Sequence, residues 1–156
     1  MNKKQKSLTN KGFSLVELII VIAIMAVLVG VLAPQFLKYV ERSRKSTDVQ
    51  NVASIVTALQ TYAADPMVAS GSELKTDAVI TLKPGDGVAV SATNASNNAN
   101  LALTNAGIDK ISLKSKEWTD PAGGDVKIKV TINNGTVTFT EEGLKADHSI
   151  LKGEYK

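Results

Sequence analysis

Leu15–Ala33 reads LVELIIVIAIMAVLVGVLA, and every residue in it except Glu17 is apolar or Gly30. Nineteen residues in a helix rise about 28 Å, close to the roughly 30 Å hydrocarbon core of a bilayer. It is the one membrane-length stretch in the chain. The closing LKGEYK is polar, so neither a second anchor nor a wall-sorting tail is expected there.

On the N-terminal side lies MNKKQKSLTNKG, which carries Lys3, Lys4, Lys6 and Lys11 and no acid. The whole chain has 156 residues, 18 Lys and Arg against 15 Asp and Glu, and a formal net charge of +3. With the four leader lysines set aside, 14 basic residues face 15 acidic ones. The basic character therefore belongs to the leader, and no specific nucleic-acid site is expected. A cationic segment directly before an apolar run is a topogenic signal that holds the N-terminus in the cytoplasm.

On the C-terminal side the pattern changes after Pro34. Lys38, Glu41, Arg42, Arg44, Lys45 and Asp48 form a charged collar too polar for lipid. Beyond it Val49, Val52, Val56, Leu59 and Ala63 recur at spacings of three and four, one apolar stripe of a helix, with Gln50, Asn51, Ser54, Thr57 and Gln60 opposite. Asp65-Pro66 stops the run, because a residue before proline is pushed out of the helical region. One helix from about Ser14 to Ala64 would be roughly 75 Å long.

The remainder reads as a small sheet. AVITL and VAVSA form two short strands joined by Lys83-Pro84-Gly85-Asp86-Gly87. SATNASNNAN is expected to be a polar loop, and Leu101–Ile108 a short helix or turn. VKIKVTI and TVTFT alternate around Asn133-Asn134-Gly135, a strong hairpin signal because both turn positions tolerate positive φ. Val126, Ile128 and Val130 should face inward, with Lys127 and Lys129 in water. The expected fold is α+β: a long N-terminal helical spine, membrane-spanning in its first half, packed on a small antiparallel sheet.

Composition excludes much chemistry. With no cysteine there is no disulfide framework, thiolate zinc site or cysteine nucleophile. The single histidine, His148, is expected at the solvated surface, and Trp118 buried at the sheet edge. No acid, base and nucleophile converge, so no enzyme, cofactor or metal is expected. Asp120-Pro121-Ala122-Gly123-Gly124-Asp125 is read as a turn rather than a calcium loop, and the Asn94 and Asn134 acceptor patterns as unmodified.

The junction Lys11-Gly12-Phe13-Ser14-Leu15-Val16-Glu17-Leu18 selects among the remaining readings. A removable secretion signal would need a small-residue cleavage site after the apolar run, where Pro34 follows Ala33 directly. A plain anchor has no use for Glu17, since an acid at a membrane helix centre costs about 2.5–3.5 kcal/mol and less near the interface. The segment resembles the signal of type IV pilins and pseudopilins, K-G-F-[ST]-L-x-E. The resemblance covers about residues 11–64.

It implies that a prepilin peptidase cuts between Gly12 and Phe13 on the cytoplasmic side, that Phe13 becomes an N-methylated terminus, and that the apolar helix stays in the product. Residues 1–12 are then a cleaved leader and 13–40 the transmembrane and filament-core helix. Residues 41–64 are its amphipathic continuation and 65–156 the head. Cutting creates an α-amine at the start of an apolar helix, costly in a dry environment, and Glu17 is a carboxylate needing a counter-charge. The resemblance favours their pairing between staggered subunits, although pairing within one chain is also in reach. Gly30 and Pro34 weaken the helix, Pro34 by removing a hydrogen bond and clashing with the Gly30 carbonyl. They mark a point of kinking or stretching.

The implied function is a structural pilin that polymerises with itself into a homopolymer or mixed pilus. Membrane lipid surrounds it before assembly, an inner-membrane assembly platform acts on it, and the cell surface receives it afterwards. The alternative within the family is a pseudopilin of type II secretion or DNA uptake. A rival of another class is a membrane-tethered ligand-binding module. The missing C-terminal cysteine pair departs from the commonest major-pilin pattern.

Overall fold

The computed structural model describes residues 12–68, 74, 77–83, 91–93, 97–108, 111–119, 124–133 and 136–154. The chain comprises two units, Met1–Val40 and Glu41–Lys156. Helix α1, Leu15–Ala64, supplies the described helical residues of the first and opens the second. It is followed by β1 (Ala78–Leu82), β2 (Ser91–Thr93), α2 (Asn97–Asn105), β3 (Val126–Asn133) and β4 (Thr136–Glu142).

Among the described residues of the first unit the apolar side chains have nothing to pack on. Leu15, Ile19, Ile22, Val29 and Leu32 are each more than half exposed, and their large apolar neighbours around the helix are exposed as well. The helix is long and apolar enough to cross a membrane. Soluble monomers rarely expose continuous apolar patches beyond a few hundred Å². This surface therefore belongs in lipid or against other protein. α1 runs through Pro34 without interruption in its helical assignment.

In the second unit, α1 turns Val52, Ile55 and Leu59 into the core, with Val49, Val56 and Ala63 partly buried beside them. The expected stripe is there, and Ile55 joins it because 52, 55 and 59 share a face at spacings of three and four. Fully burying each such side chain contributes about 1.5–3 kcal/mol.

The four strands are antiparallel in the order β2-β1-β3-β4. On β3, Val126, Ile128 and Val130 are buried and Lys127 and Lys129 exposed, as the alternation predicts. Asn133 pairs with Thr136 across the hairpin. Its tip, 134–135, lies outside the described residues, as do 84–87 of the expected first turn, 88–90 of the expected strand VAVSA, 120–123 of the acidic turn, and Asn94.

Two expectations are corrected here. Residues 91–100 are not one loop: 91–93 form β2, and α2 starts at Asn97, ahead of the expected Leu101. Ala99, Ala102 and Leu103 are buried on one face of α2, a helical period hidden by the asparagines between them. The second concerns His148, which is buried rather than solvated. The segment carrying it folds back beneath Trp118, where Lys145 N donates to the Trp118 carbonyl at 3.0 Å.

Candidate functional site

The start of α1 is built by its own sequence. Ser14 precedes the first helical residue, and its backbone N–H donates to Glu17 Oε2 at 2.8 Å. Ser14-Leu15-Val16-Glu17 is thus a capping-box sequence whose acid reaches back to the cap residue. Glu17 also stands in the first turn, where a negative charge meets the positive end of the helix dipole. Sequence reasoning weighed Glu17 for its charge and missed its part in the cap. The S-x-x-E spacing was the available signal.

Phe13 is 93% exposed, so the residue beside the expected cut touches little of the rest of the chain. A Cβ placed on Gly12 or on Gly30 would meet open space. Packing among the described residues therefore gives no reason for glycine at either position.

The described residues of 13–40 bring no further polar group to Glu17. Polar chemistry gathers instead within the second unit, on the inward face of α1. Asp48 is fully buried. Its Oδ1 accepts the backbone N–H of Lys114 at 2.6 Å, and its Oδ2 accepts the N–H of Ser115 at 2.9 Å and the Trp118 indole Nε1–H at 2.8 Å. Ser115 Oγ donates to Glu41 Oε1, and Glu41 Oε2 lies 3.6 Å from Arg44. Lys45, also buried, places Nζ 3.1 Å from Glu117 Oε2 and 3.4 Å from His148 Nε2. Part of the expected collar is therefore interior. Glu41, Lys45 and Asp48 lie on one helical face and tie the segment 113–118 to the helix. Among the described residues no group of three or more His, Asp or Glu is placed to hold a metal ion.

The comparisons with known proteins each cover less than half of the chain. A family described as "Prokaryotic N-terminal methylation motif" matches residues 8–33. The type IV major pilin protein PilA of Myxococcus xanthus is 38% identical over 53 residues, 34% of this chain and 24% of that protein. A type IV major fimbrial protein FimA of Dichelobacter nodosus is 40% identical over 55 residues, 35% of each chain. The prepilin peptidase-dependent protein A of Clostridium perfringens is 42% identical over 60 residues, covering 38% of this chain and 42% of that protein. The alignments thus span well under half of these relatives' length. No solved structure matches the chain.

Over the matched stretch the chain is similar to type IV major pilins and fimbrial proteins.

Proposed function

We propose that the chain is a structural subunit that polymerises through its N-terminal helix into a type IV pilus-like surface filament. The observation that carries this reading is the helix face from Leu15 to Leu37, apolar and exposed all round, opening on Ser14-Leu15-Val16-Glu17. Lipid covers that surface first, and the equivalent helices of other subunits cover it afterwards.

In this reading prepilin peptidase cuts between Gly12 and Phe13 from the cytoplasmic side, and Phe13 receives the methyl group. Gly12, whose missing side chain has no local packing cause, serves the peptidase cleft. The new α-amine approaches a neighbour's Glu17, whose Oε2 is already occupied by Ser14 and whose Oε1 remains for the pairing. Gly30 and Pro34 supply the weak segment at which the helix adapts on leaving lipid. An inner-membrane assembly platform draws the subunit out, and the head forms the outer coat.

The test is mass spectrometry of sheared surface material beside electron microscopy of the cells. Filaments containing a chain that begins at methylated Phe13 are expected, and Gly12→Val should abolish both the processed chain and its entry into filaments. An unprocessed Met1 terminus in surface material would overturn the reading.

A further inference from the structure

Between Val49 and Ala64 there is no Asp, Glu, Lys or Arg, and none between Asn97 and Ile108, although 21% of the chain is charged. These two stretches, the later part of α1 and α2 with the turn after it, form the walls of an open groove of about 850 Å³ in the second unit. Ala53, Thr57 and Thr61 line it from α1, and Leu101 and Ile108 from the other side. Leu101 is 40% exposed, and Met67 at the end of the groove is 89% exposed. A helix face that meets water ordinarily carries charge. This one carries small side chains and opens beside exposed apolar ones.

The wall loses little on leaving water. The hydroxyls of Ser54, Thr57 and Thr61 donate to the carbonyls of Gln50, Ala53 and Thr57 at 3.0, 2.9 and 2.8 Å. Covering them strands no donor, so the usual penalty for burying a hydroxyl does not arise.

We propose that this groove seats the apolar helix, residues 15–37, of a second copy of the chain. The proposal rests on the filament reading above and specifies which surface of one subunit covers the helix of the next. The occupant follows from its chemistry. Residues 15–37 hold a single charged side chain, Glu17, and so cannot compensate a charged wall for lost hydration. An uncharged wall asks for no such compensation. Short side chains at Ala53, Thr57 and Thr61 also let a second helix approach to an interaxial distance of about 8 Å, the near end of the usual range. From Ala53 to Thr61 α1 rises about 12 Å, against about 33 Å for a helix over 15–37. One groove therefore covers part of that helix, and further copies cover the rest.

The test uses filaments grown from full chains that carry a photoactivatable diazirine amino acid at Thr57, mixed from isotope-labelled and unlabelled subunits. No Lys or Arg lies between Gly12 and Leu37, so trypsin releases the apolar helix as one peptide ending at Lys38. Crosslinks from position 57 to that peptide of the other isotope are expected. Thr57→Lys sets an unpaired ammonium in the seat and should lower the subunit recovered in sheared filaments about tenfold or more. Its Trp118 fluorescence in detergent should match that of the unaltered chain, which shows that the head still folds. Thr140→Lys, on the exposed face of β4, should assemble as the unaltered chain does. Filaments whose crosslinks run to another head or to lipid, or that take up Thr57→Lys in normal amount, overturn the seat and leave the filament reading standing. Absence of filaments from the unaltered chain overturns that reading and the seat with it.

Discussion

The Asp48 carboxylate lies 2.8 Å from the Trp118 indole nitrogen, and both residues are fully buried although 70 positions separate them. A charge in that position is tolerated because three donors converge on it, two of them backbone amides of the segment 114–115. Asp48 thus serves as the peg on which the loop leading to Trp118 is hung. The same contact sets the floor beneath His148.

Asp48→Ala leaves buried donors without an acceptor. Each such orphan costs about 1–3 kcal/mol, so a loss of about 3 kcal/mol or more is expected. Asp48→Asn keeps one acceptor oxygen and should lose less. Denaturant unfolding of the full chain in detergent, followed by the fluorescence of Trp118, measures both.

Leu59 is fully buried in the core of the second unit, whereas Gln60 beside it is exposed. Leu59→Ala should cost about 2–5 kcal/mol through lost burial and the cavity left behind. Gln60→Ala should stay within about 0.5 kcal/mol. Equal effects in the same unfolding experiment would contradict the assigned face of α1.

Glu17 combines a cap with a charge, and two substitutions separate them. Glu17→Gln keeps an acceptor for Ser14 N–H and should preserve the helix start, while weakening any pairing with an α-amine. Glu17→Ala loses both and should fray the first turn at a cost of about 1 kcal/mol. NMR shifts of residues 14–18 in detergent read the cap, and the amount of subunit in sheared filaments reads the charge. Normal filament yield from Glu17→Gln would remove the charge from the assembly argument.

Gly143 ends β4 with φ at +82°, and a Cβ there would run into the carbonyl oxygen of Asp125. Left-handed backbone alone costs an L-residue about 1–2 kcal/mol, and the clash adds to it. Gly143→Ala should therefore lower stability by about 2 kcal/mol or more. Gly107→Ala, with φ at +69° but open space around the new Cβ, should lose only the backbone part.

The amino-acid sequence by itself determined the spine, the sheet hairpin and the resemblance carried by the junction at Gly12-Phe13. Each is written in a local pattern: nineteen residues in a row of which only Glu17 is polar, a period of three and four from Val49, and alternation around Asn-Gly. Even the capping box was legible, as Ser14 three residues before Glu17. Tertiary structure alone decided the inside of the polar cluster. Lys45 and Asp48 resemble the solvated collar residues Lys38 and Arg42 by composition, and His148 lies in a polar stretch. Whether a charge can leave water depends on partners supplied from far along the chain, here Ser115, Trp118 and the turn at 145–148. No local period records that, so burial of these groups appears only when the segments meet.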